Sequence, residues 1–89
     1  MKVLYENSFL KDIKRIRDQR VSDKLLSVIE RIKKTDNLSL LLDIKKLKGH
    51  PTAFRIRISD YRLGFFLEND HVIFVRFINR KDFYKSFPK

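Results

Sequence analysis

Arg55, Arg57 and Arg62 lie close together in the stretch AFRIRISDYRL, each beside apolar neighbours. A guanidinium donates two parallel hydrogen bonds from one rigid fork, which suits phosphate. Read as a hairpin turning at Ser59 and Asp60, residues 55–67 face Arg57 to Arg62, Ile56 to Leu63 and Arg55 to Gly64. All three arginines then share one sheet face. Like charges directly across a ladder are destabilising, and a bound anion would offset that cost. Gly64 is expected to leave open space beside Arg55 for a ligand. A solvated sheet face bridged to Asp or Glu accounts for any one arginine. Three converging ones, in a chain this basic, favour an anion site.

These side chains need a frame. KVLY at residues 2–5 reads as a first strand. Asn7 or Ser8 is expected to cap a helix over residues 7–19, where Phe9, Ile13 and Ile16 recur at helical spacing. Ser22 is expected to cap a second helix over residues 22–35, with Leu25, Val28, Ile29 and Ile32 as its apolar stripe. Residues 38–44, LSLLLDI, read as a helical turn or an irregular connector, and KKLKGHP reads as a loop. Alternation predicts strands at 53–59 and 61–68. The apolar run at 72–78 predicts a central buried strand. The last residues, NRKDFYKSFPK, read as a short helix or tail. The expected class is α+β: an N-terminal strand and a two-helix hairpin packed on one face of a small, mainly antiparallel, four-stranded sheet. Phe54, Ile56, Leu63, Phe65 and Phe74 are the expected core.

The 89 residues suit one domain, residues 1–89, and 43% hydrophobic content with 8 Phe and 3 Tyr can fill one core. Lys and Arg number 21 against 11 Asp and Glu, a formal net charge of +10. Such an excess repels itself and points to a polyanionic partner: nucleic acid, an anionic membrane surface or an acidic protein. Cysteine is absent, which excludes disulfides and thiolate chemistry. No signal-peptide core or bilayer-length apolar run is visible, so a cytoplasmic protein with no membrane partner is expected.

The ordered set KKLKG, AFRIRI, DYRL, an apolar last strand and RKDFY resembles the second half of RelE/ParE-superfamily toxins of type II toxin–antitoxin modules. The resemblance covers residues 45–84. It implies the fold expected above and, for the RelE branch, a ribosome-dependent endoribonuclease that cleaves mRNA in the ribosomal A site without a cofactor or metal. It also implies a cognate antitoxin and a toxin–antitoxin hetero-oligomer. The alternative is a ParE-like inhibitor of DNA gyrase or a non-catalytic relative.

Carried over by position, the resemblance assigns Arg55 and Arg57 to the active-site strand and Arg62 to the scissile phosphate. Arg80 is assigned to the leaving group and Tyr84 to the substrate base, with Lys46 and Lys48 binding RNA beside them. Two departures stand out. RelE-type strands often carry lysine where this chain has Arg55 and Arg57, and arginine does not release its proton in proteins. Many relatives have His before the last Arg, where this chain has Asn79. Cleavage by the adjacent 2′-OH needs a proton acceptor, stabilisation of the phosphorane charge and a proton for the 5′ oxygen. The arginines suit only the second task. Lys46, Lys48, Tyr84 and the loop residue His50 are the remaining titrating groups; taken alone, His50 reads as an exposed loop histidine. His71 is expected to lie far from the site, and Glu68 to act as a salt-bridge partner.

Overall fold

A computed structural model describes residues 1–88. Strand β1 (Lys2–Tyr5) leads into helices α1 (Asn7–Lys14) and α2 (Gln19–Lys34). A 3₁₀ turn at Leu38–Leu40 precedes the short strand β2 (Ile44–Lys46). Then follow β3 (Ala53–Ile58), β4 (Tyr61–Glu68), β5 (His71–Asn79) and helix α3 (Arg80–Ser86). The sheet order is β1-β5-β4-β3-β2, with β1 parallel to β5 and every other pair antiparallel. The α+β class stands. The sheet has five strands, not the expected four, because β2 is three residues long and two of them are lysines. Lysine is common on edge strands, where it discourages pairing with other chains, but it leaves no apolar alternation to read.

The first two helices cover one sheet face. Phe9, Leu25, Ile29 and Ile32 pack there against Ile56, Leu63, Phe65 and Phe74, all buried. Phe54 also packs on this core but is only half-buried, stacked on Phe65 at 5.7 Å between centroids.

The helix boundaries differ from the expectation. The α1 N-cap is Glu6, without a side-chain bond. Ser8 is already helical, and its Oγ donates instead to the Val75 carbonyl at 2.6 Å. Helix α1 stops at Lys14, short of Ile16, and Asp18 rather than Ser22 caps α2 by accepting from the Arg20 N–H at 2.9 Å. That bond, above all, holds the Asp18 carboxyl below its ordinary pKa.

Opposite Gly64 and Phe65, β5 carries a bulge. The buried Asp12 of α1 fastens it. Its carboxylate accepts from Arg76 Nε at 2.8 Å, Arg76 Nη2 at 3.0 Å and the Phe77 N–H at 2.9 Å. A buried carboxylate is tolerated when its partners are this complete.

The second sheet face is not bare. Helix α3 lies across it, and Phe83 and Phe87 close a small second core with Leu47 and Ala53. Gly64 sits beneath them. A Cβ there would lie 2.8 Å from both Phe83 Cε1 and Phe87 Cδ2. The expected open space beside Arg55 is therefore filled by α3. Gly64 is there so that helix and sheet can approach.

Candidate active site

The β3–β4 hairpin has the register read from the sequence, with Ile58 facing Tyr61, Arg57 facing Arg62, Ile56 facing Leu63 and Arg55 facing Gly64. The three arginines thus emerge on the face that carries α3. Arg62 donates from Nη1 to the carbonyls of Ser59 at 3.3 Å and Tyr61 at 3.1 Å, which holds it near its own turn. Burial, first, holds its guanidinium below the ordinary arginine range. Arg55 pushes the same way, Tyr84 acts oppositely, and Arg57 and Arg80 add to the lowering. Arginine does not lose its proton in proteins. In the register, Arg57 faces Arg62 and Arg55 faces Gly64 on the same side of the sheet.

Arg80 and Tyr84 arrive on α3. Asn79 accepts from the Lys81 N–H at 2.9 Å and so caps the helix, a task its side chain suits. The Arg80 N–H donates to the Asp60 carbonyl at 2.8 Å, which ties the start of α3 to the β3–β4 turn. One turn on, Tyr84 is exposed and stands edge-on to the buried Phe83 ring, with centroids 5.0 Å apart. An exposed ring on a rigid base is suited to stacking on a nucleobase.

Beside Tyr84 runs a cleft of about 440 Å³ lined by Lys45, Lys46, Leu47, Lys48, His50, Tyr84, Phe87 and Pro88. The loop carrying Lys48 and His50 is pinned by backbone bonds, His50 N–H to Leu47 O at 3.1 Å and Ala53 N–H to His50 O at 3.1 Å. His50 is exposed, as its loop position suggested, and it shares this cleft with Tyr84. Lys46 pairs with Phe54, so its place in β2 is on the helix-covered side. Lys45 pairs with Arg55 and shares the arginine face. The sequence reading passed over Lys45 because it did not recognise β2.

It also passed over Asp43, in the connector that precedes β2. The Asp43 carbonyl accepts from Arg55 Nη1 at 2.8 Å, and its carboxylate accepts from Arg57 Nη2 at 3.0 Å. Arg55 Nε is buried without a hydrogen-bond partner among the described residues. His71 pairs with Glu68 at the far end of the β4–β5 hairpin, away from this cluster. Glu68 makes no ion pair among the described residues, contrary to the role expected for it. No group of three or more His, Cys, Asp or Glu residues among those described is placed to hold a metal. No described helix is long and apolar enough to cross a membrane.

A small sheet with a helical hairpin on one face and a cationic cluster under a C-terminal helix on the other defines a recognisable class of protein. Residues 3–84 match the family model of the ParE toxin of type II toxin–antitoxin systems, and the chain belongs to that family. It is 38% identical to Toxin RelE3 of Methanocaldococcus jannaschii over 89 residues, covering 99% of this chain and 100% of the relative. Its fold matches the RelB–RelE antitoxin–toxin complex from Methanococcus jannaschii with TM-score 0.82 and 35% identity, over 96% of this chain and 99% of that one. The YoeB dimer from Staphylococcus aureus has the same fold, with TM-score 0.71 and 18% identity over 85% of this chain and 92% of that chain.

Proposed function

We propose that this toxin is a ribosome-dependent endoribonuclease that cleaves mRNA through attack of the adjacent 2′-OH on the phosphodiester. The observation that carries the reading is that Arg55, Arg57 and Arg62 share one sheet face, with Arg80 tied to the same hairpin turn and Tyr84 one helical turn further on. Preorganised donors aimed at developing charge are the largest single contribution in many enzymes. Arg62, Arg55 and Arg57 hold the scissile phosphate and stabilise the added charge of the phosphorane. Arg80 stabilises the leaving 5′ oxygen. Tyr84 stacks on the neighbouring base.

Proton transfer falls to the groups of the adjoining cleft, since the arginines cannot titrate. Imidazole is the side chain there whose ordinary pKa lies near neutrality. His50 is therefore assigned the proton from the 2′-OH, the leaving 5′ oxygen takes its proton from water beside Arg80, and Lys45, Lys46 and Lys48 bind the flanking RNA. The similarity to the RelB–RelE pair supports a cognate antitoxin as the partner that silences the toxin. The single domain over residues 1–89 is part of the same reading.

Purified protein added to a translation extract should cut mRNA in phase with codons on the ribosome. A second reading follows from the ParE description of the family model and from arginine at both β3 positions. It predicts gyrase-dependent DNA breaks with intact mRNA, and that result would replace the first.

A further inference from the structure

Asp43 enters β2 with φ at +61°. The other non-glycine residues described at positive φ, Ser59, Asn69 and Asp70, close the two tight hairpins. Asp43 closes neither. The left-handed region is disfavoured for residues with a Cβ, least so for Asp and Asn. What the conformation accompanies is a three-point hold on β3. The Asp43 carbonyl accepts from Arg55 Nη1 at 2.8 Å and from the Arg57 N–H at 3.3 Å. The carboxylate takes Arg57 Nη2 at 3.0 Å.

The ion pair adds little stability to this arrangement. The Arg57 side chain is 55% exposed and that of Asp43 47%. Ion pairs so open to water contribute little to folding. Backbone strain that persists beside so weak an ion pair is characteristic of functional positioning.

We propose that Asp43 is the positioning residue of the arginine cluster. It holds Arg55 and Arg57 at fixed spacing against mutual repulsion, leaving the other amino group of each for an RNA phosphate. This rests on the ribonuclease reading above. A guanidinium has five donors, and the side-chain bonds to Asp43 use one amino group of each. The carboxylate also lowers the positive charge of the groove. Its removal therefore strengthens general attraction for RNA while loosening the catalytic geometry. These effects have opposite signs, and a purely structural residue would not separate them.

Asp43→Gly removes the carboxylate, keeps the backbone carbonyl and relieves the left-handed strain, so the variant folds. Its kcat for cleavage of ribosome-bound mRNA should fall about ten- to one-hundredfold, with KM unchanged or lower. Asp43→Asn, which tolerates the same φ and keeps an acceptor, should recover most of the loss. In an Arg57→Ala background the glycine substitution should have much less effect. A loss expressed through a raised KM, or an unchanged kcat, overturns the proposal. Relaxation measurements on the arginine Nε–H groups test the hold without turnover. Asp43→Gly should lower the order parameter of Arg57, and an unchanged value overturns the hold. If the wild-type chain cleaves no mRNA, the ribonuclease reading falls by itself, and the hold is decided by the relaxation data.

Discussion

Arg62 stands directly across the ladder from Arg57 with Arg55 and Arg80 also nearby, so folding places like charges where they oppose one another. Arg62→Ala should therefore lower mRNA cleavage about 100- to 1,000-fold, while the thermal midpoint stays level or rises. A parallel loss of stability and activity would mean that the residue is structural. His50→Ala should slow single-turnover cleavage about 100-fold. A change within about twofold would move the proton transfer to a lysine of the cleft or to Tyr84. At this scale the sequence was readable where local pattern sets the partner. The register of Arg55, Arg57 and Arg62 followed from alternation and a two-residue turn. Asp43 was not readable, because its role depends on a backbone angle and a tertiary contact that no spacing encodes. Lys45 was passed over for a related reason: a strand of three residues offers too little alternation to tell its faces apart.

Helix α3 carries Arg80 and Tyr84 over a sheet position that has room only for glycine. Gly64→Ala would push a methyl group into the Phe83 and Phe87 rings. Overpacking of this kind typically costs about 1–3 kcal/mol. We expect a loss of that size in urea unfolding, faster amide exchange in residues 80–86, and cleavage reduced through displacement of Tyr84. Unchanged exchange in α3 would refute the idea that Gly64 seats the helix. The sequence suggested a special role for Gly64 but the wrong occupant, since the phenylalanines that fill the space come from the far end of the chain. Four of the five strands, all but β2, and both N-terminal helices were legible from periodicity. Their ends were not, because Ser8 bonds across to β5 instead of capping, and Asp18 starts α2 early.

The molecule measures 32 × 27 × 23 Å and bears a net charge of +10. Raising salt from about 0.01 M to about 0.15 M shortens the screening length from roughly 30 Å to roughly 8 Å. At the lower value every cation feels the rest of the molecule; at the higher only near neighbours count. The isolated chain should therefore melt at a higher temperature as salt rises across this range, while its affinity for RNA falls. A midpoint that drops with salt would mean that ion pairs, not self-repulsion, dominate the surface.

Strand β1 is joined to β5, so the first strand of the sheet pairs with the last, and Ser8 and Asp12 of α1 also find their partners on β5. These contacts are long-range, and such contacts form slowly because a large loop must close first. During synthesis the N-terminal strand and helices must wait for β5 to emerge before they can dock. The arginine strand is made earlier, but α3 follows β5, so the cationic groove cannot assemble before both β5 and α3 have emerged. The parts of the proposed site are thus made apart, and the site exists only once the strand that clamps the N-terminus and the helix after it have both docked.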